Sequence, residues 1–164
     1  MGGAALMKPR LRGLAIALLA GCTLAAAAQP GSTMPLFGAA DCRFARPTDF
    51  AGSLRWEGGC VDGRADGRGV LRAYVAQHSP KVFYGRLKAG QLALGVVETP
   101  DGYIAGNFVD GKLKPSEERG DFIRAFDEAA AAAKEAAARF RKAGNEASAR
   151  HYEERAAQLA AQMD

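Results

Sequence analysis

Five glycines and two Asp-Gly pairs crowd residues 56–71, WEGGCVDGRADGRGVL, a composition that could hold a phosphate or a cation. A phosphate loop requires G-x-x-x-x-G-K-[ST] opening a helix. Gly58 and Gly63 have that separation, but Arg64-Ala65 and further glycine follow them. A calcium loop requires three or more oxygen ligands at alternate positions, and Asp62 and Asp66 alone fall short; both read as turn residues. His78 reads as lying in a loop before Ser79-Pro80 and His151 on a charged helix face, and neither is read as part of a catalytic set. The adjacent carboxylates Glu117-Glu118 and Glu153-Glu154 read as solvated helix surface. Arg119-Gly120-Asp121 spells an adhesion tripeptide, although Asp121 equally suits a helix N-cap. The residue types point away from an enzyme, a metal site and a bound cofactor.

The elements that would position such residues begin after an export signal. Lys8, Arg10 and Arg12 precede an apolar run over residues 13–20, too short for the about 20 residues that span a bilayer. The run ends in Leu19-Ala20-Gly21-Cys22, which resembles the lipobox of bacterial lipoproteins. That resemblance implies diacylation of the Cys22 thiol, a lipid anchor in the membrane and, with Thr23 rather than Asp next, an outer-membrane lipoprotein facing the periplasm. The second reading is cleavage after Ala26-Ala27-Ala28, which releases a soluble periplasmic or secreted chain. Both readings leave Cys42 and Cys60, an even number in an oxidising compartment, so the two are expected to pair. Closing a loop of about 19 residues contributes roughly 3 kcal/mol in the chain-entropy view. Discounting the leader's three cations leaves 19 Lys and Arg against 18 Asp and Glu, with no basic excess that would call for nucleic acid.

Residues 23–41 are rich in Ala, Gly and Pro and read as a flexible tether. From residue 42 to 115 short apolar runs alternate with Gly, Pro and Asp, and self-comparison brings out a unit. Trp56-x-Gly58 is followed five residues later by Gly63, Phe83-x-Gly85 by Gly90, and Ile104-x-Gly106 by Gly111. Successive units are spaced by 27 and then 21 residues. Strand alternation puts Trp56 with Gly58 and Cys60, Phe83 with Gly85 and Leu87, and Ile104 with Gly106 and Phe108 on one face. The first glycine of each unit leaves a notch for an aromatic ring; the second sits where a tight turn needs positive φ. Gly67 and Gly69 continue the first unit, while Gly95 falls one residue off the expected place. The pattern resembles the MORN repeat over residues 53–113. The resemblance implies an antiparallel sheet and a scaffold or adaptor rather than a catalyst. Strands are expected over residues 53–60, 68–75, 81–88, 92–98 and 103–109.

The opposite face of those strands carries Arg55 and Glu57, then Tyr84, Arg86 and Lys88, then Tyr103 and Asn107. Arg55, Tyr84, Arg86, Lys88 and Tyr103 are the candidate recognition surface for an anionic polymer or an extended peptide. The plain alternative is a solvated sheet face.

Residues 116–164 turn to Ala, Glu and Arg, which favour helix. Phe122, Phe126, Ala129, Ala133, Ala137 and Phe140 form one stripe; Ala149, Tyr152, Ala156, Leu159 and Met163 form another. Gly144-Asn145 marks a stop and restart. Part of this segment resembles a single tetratricopeptide unit, but a lone unit could not bury its faces. A packing or oligomerising helical hairpin is the reading preferred. The whole is thus expected to be α+β: an antiparallel meander braced by a disulfide, followed by a helical hairpin whose Phe122, Phe126 and Phe140 cover the face of Trp56, Phe83 and Phe108. The expected role is non-catalytic scaffolding or binding at the cell envelope, with a protein or envelope polymer as partner. The alternative is an accessory subunit of an envelope or secretion complex that binds, or self-associates, through the C-terminal helices.

Overall fold

A computed structural model describes residues 1–2, 35–76 and 80–163; Cys22, residues 26–28, the tether as far as residue 34 and His78 lie outside them. Among the described residues eight strands precede two helices: β1 Leu36–Ala39, β2 Cys42–Ala45, β3 Ser53–Val61, β4 Arg64–Tyr74, β5 Val82–Lys88, β6 Gln91–Thr99, β7 Gly102–Val109, β8 Lys112–Leu113, α1 Arg119–Lys142 and α2 Glu146–Ala160. The fold is α+β. β3 to β7 follow the five expected strands, and the sheet gains β1, β2 and β8. The residues of β1 were expected in the tether, but Leu36 and Phe37 are half-buried and pair with Ala45 and Phe44.

Turn chemistry makes the hairpins. Asp62-Gly63, Ala89-Gly90 and Asp110-Gly111 each fill a two-residue loop, and both members of each pair have positive φ. That is the signature of the turn whose twist matches a right-handed hairpin. Ala89, at φ 49°, takes this backbone against its own sterics. Its amide donates to Asp66 Oδ2 at 2.8 Å, and Gly90 donates to the Ala65 carbonyl at 2.8 Å. Asp66, read above as a turn residue of its own hairpin, therefore clamps the next one.

Register gathers the first glycines into one line. Gly58 pairs with Gly69, Gly69 with Gly85, Gly85 with Gly95 and Gly95 with Gly106, across β3 to β7. Gly95 joins the line because Arg86 pairs with Leu94 and Leu87 with Leu92, so Ala93 is the extra residue of a bulge. Rings lie over the line: a Cβ at Gly58 would stand 2.1 Å from Trp56 Cζ2, and one at Gly85 would stand 2.7 Å from Phe83 Cζ.

The two sheet faces bury different partners. On one, Trp56, Leu71, Phe83 and Val97 follow the register, and Phe44 and Phe50 from the amino-terminal segment close over them. On the other, Val70, Tyr84, Val96 and Ala105 form the central row, and α1 and α2 pack there. This corrects the expected packing of the hairpin. Phe126 and Phe140 meet Tyr103 and Tyr152 instead of the Trp56 face, and Phe122 is 41% exposed. The reason is shape. Seven alanines of α1 are buried, giving the helix a low ridge that settles on small Val and Ala positions. The bulky aromatic face is filled by other phenylalanines.

The helix boundaries follow their caps. α1 starts after Glu118, which makes no side-chain cap; Asp121 lies inside the first turn, accepting from Ser116 and Arg124, and is not the N-cap expected. Gly144 ends α1 with φ 76°, and Asn145 caps α2 by accepting from the Ser148 amide at 3.0 Å. Cys42 and Cys60 are joined, with Cα atoms 5.4 Å apart, tying β2 to β3 as expected.

Candidate functional site

The expected recognition surface is the face on which the helices sit, so its members separate. Tyr84 is 1% exposed, its ring edge-on to Tyr152, and burial pushes its phenol pKa up; it is withdrawn as a contact residue. Tyr103 is half-buried against Phe126. Arg86 donates to Glu128 Oε1 at 2.8 Å, and Arg68, its cross-strand neighbour, donates to both Glu128 oxygens at 3.1 Å. Those two arginines fasten α1 to the sheet. Lys88 is exposed near the turn at Ala89-Gly90, away from any cleft described below. Arg55 lines the cleft described next.

That cleft, about 450 Å³, lies where β3 and β4 meet the loop between the helices and the start of α2. Arg55 and Arg72 are direct cross-strand neighbours and form its floor. Asn145, Ser148 and His151 supply the polar wall, and Tyr74, Phe140 and Tyr152 the aromatic one. Phe140 and Tyr152 stack at 5.4 Å with 9° between planes, while the Tyr74 ring is 47% exposed. The Arg72 guanidinium stands 5.9 Å from the Tyr74 centroid and 5.7 Å from that of Tyr152, within cation–π range. Arg55 pairs with Glu57 on its own strand.

Among the described residues Arg72 has no carboxylate partner. Its Nε is buried without a hydrogen bond, and Nη2 lies 3.4 Å from His151 Nε2. An imidazole that accepts from a guanidinium must be neutral. Burial first, then Arg72 and Arg155, lower the His151 pKa, and Glu154 and Glu98 oppose this weakly. No family model, curated protein or solved structure matches the chain. In the cleft Arg72, together with Arg55 and the Glu57 carboxylate that Arg55 is paired with, stands beside a neutral imidazole and open rings, an arrangement that can hold an anion.

A pH dependence follows from the His151 shift. A histidine whose folded pKa lies below its ordinary 6.5 is protonated first in the unfolded chain, so acid favours unfolding. Thermal midpoints are expected to drop as pH falls from about 7.5 to about 5.5, and His151→Gln to flatten part of that slope. An equal slope in the variant would assign the drop to other groups.

On the opposite face, Phe50, Val97, Ile104, Phe108 and Leu113 line an apolar groove of about 410 Å³, flanked by Lys81 and Lys112.

Neither Arg72 nor His151 stood out in the sequence. Arg72 lies beyond the irregularity between the Gly58 and Cys60 pairings, which shifts the β3–β4 register and hides its alignment with Arg55. His151 was read as lying on a charged helix face, and the half-buried ring becomes visible only once α2 is docked. One signal was available: Arg72 and Tyr74 alternate on β4 as Arg55 and Glu57 do on β3.

Proposed function

We propose that the chain is a non-catalytic scaffold or binding module of the bacterial cell envelope, exported and held at the membrane by a lipid on Cys22, with its sheet built from units of the MORN type. The observation that carries this reading is the cleft between β3, β4 and the docked start of α2. Its lining of cations and rings suits recognition. The disulfide supports export, since such bridges persist in oxidising compartments. The glycine line supports the MORN likeness, because each glycine serves packing rather than a ligand. The alanines of α1 and Ala149, Tyr152, Ala156 and Leu159 of α2 are engaged inside the chain, with Phe122 left exposed, and partner capture is assigned to the cleft rather than to the helices.

Two measurements on intact cells test the proposal. Mass spectrometry of the mature amino terminus is expected to find acylated Cys22. A free Gln29 terminus would leave the chain exported without an anchor, and an intact leader would refute export. Crosslinking is expected to join the protein to an envelope component and to fail in Arg72→Gln; equal capture by the variant would remove the cleft from the account.

A further inference from the structure

We infer that the cleft between Arg55, Arg72 and the first turn of α2 binds an anionic sugar, a carboxylate or phosphate carried on a hexose-sized body. The inference rests on the binding-module reading above and gives its ligand a chemical class.

The argument begins with a contrast inside the fold. Two pairs of arginines face each other directly across strands on the helix-covered face: Arg68 with Arg86, and Arg55 with Arg72. Like charges so placed repel and need a counter-ion. The first pair receives one from α1, where Glu128 accepts from both arginines and Glu135 adds an oxygen to Arg68 at 3.2 Å. The second receives nothing equivalent from α2. Glu57 is taken up by Arg55 from the same strand, and α2 presents Ser148 and His151 where α1 presents Glu128. Arg72 keeps an Nε without a partner and a weak contact to a neutral ring. Arg72 is half-buried, and a guanidinium whose buried Nε–H is left in that state is costly unless an acceptor completes it.

Three further features match an anion from outside. Ala147 and Ser148, in the first turn of α2, line the cleft and set the positive end of the helix dipole at its wall. A guanidinium offers a fork of donors that fits carboxylate or phosphate oxygens, and Tyr74 and Tyr152 already hold this one in place. The volume far exceeds a bare ion and falls in the range of small-molecule sites, which supplies the sugar-sized body. The exposed Tyr74 ring gives that body an apolar surface to lie on, and Asn145 lies beside it at the cleft wall.

Titration of the disulfide-bonded mature chain with glucuronate, glucose 6-phosphate, glucose and inorganic phosphate, followed through the His151 imidazole signals, tests the inference. Glucuronate, glucose 6-phosphate or both are expected to bind, with glucose about tenfold weaker or more, because a charge-assisted contact is lost. The preferred sugar anion names the carboxylate or the phosphate. The bound anion is expected to move the His151 titration upward. Arg72→Gln should weaken binding about tenfold or more, whereas Lys88→Gln leaves it unchanged. If Arg72→Gln fails to fold, Arg55→Gln and Tyr74→Ala, both at exposed positions, carry the same expectation. The inference is overturned if neither sugar anion shifts His151, if inorganic phosphate binds as tightly as glucose 6-phosphate, or if the cleft variants bind like the parent. Failure here with crosslinking still lost in Arg72→Gln would reject the sugar and keep the binding module. Failure of both would reject both.

Discussion

Gly85→Val is expected to leave the chain unfolded at room temperature, with far-UV circular dichroism of a largely disordered protein. Gly85 is the middle of the glycine line, paired with Gly69 on one side and Gly95 on the other. A Cβ there would stand 2.3 Å from the Leu94 carbonyl oxygen, 2.7 Å from Gly95 Cα and 2.7 Å from Phe83 Cζ. Two of those atoms are backbone of the neighbouring strand and cannot retreat without breaking the ladder that holds Tyr84 to Val96. The residue also has φ +155°, a region costly for a branched side chain. Strain and ladder loss together should cost about 4 kcal/mol or more, most of what a domain of this size possesses. Gly120→Ala in α1 is the control, because its Cβ would meet only Arg124 Nη1, at an ordinary 3.5 Å. That change should be neutral or slightly stabilising in denaturant melts, as alanine favours helix. A Gly85→Val protein that melts within about 1 kcal/mol of the parent would remove the line's structural role.

Removing the disulfide by Cys42→Ser with Cys60→Ser is expected to cost about 3 kcal/mol in the chain-entropy view, read as a lower urea midpoint. The bridged positions are 18 residues apart in sequence. Without the bridge, β2 is held to the rest by one parallel register pair, Arg43 with Arg64, and by the amides of Arg43 and Ala45 on the Gly63 and Gly90 carbonyls. Phe44, fully covered over Leu71 and Phe83, should then become accessible before the helix-covered face does. Amide exchange read by mass spectrometry should rise in residues 36–45 while α1 and α2 stay protected. Uniform acceleration across both faces would instead show a single cooperative unit.

The two predictions draw on features of unequal legibility. Asp62-Gly63 and Asp110-Gly111 are readable as turns because an Asp-Gly pair meets the backbone demand of a two-residue loop locally. The glycine spacing likewise exposes most of the line. Gly95 eluded it because the bulge at Ala93 is a property of two strands paired together. Face assignment failed for a similar reason. Tyr84, Arg86 and Tyr103 do share a face, but that face is not the polar surface expected: its central row is Val70, Tyr84, Val96 and Ala105, which only register assembles. That row is apolar enough to seat an alanine-faced helix, and phenylalanine size misled the choice of face. The cleft needed still more: an irregular β3–β4 pairing and a docked α2 to bring Arg55, Arg72 and His151 together from three separate segments.

The Cys42–Cys60 bridge also sets how the molecule carries mechanical load. Tension applied ahead of residue 35 and resisted beyond α2 first peels the rungs of β1 from β2. At Cys42 the pull leaves the main chain, crosses the sulfur atoms and re-enters at Cys60. Residues 43–59, which include Arg55, Trp56 and Phe50, are thereby bypassed. A pull from the amino-terminal side is shunted around the segment that contributes Arg55 to the cleft floor, so the covalent load path misses that part of the site.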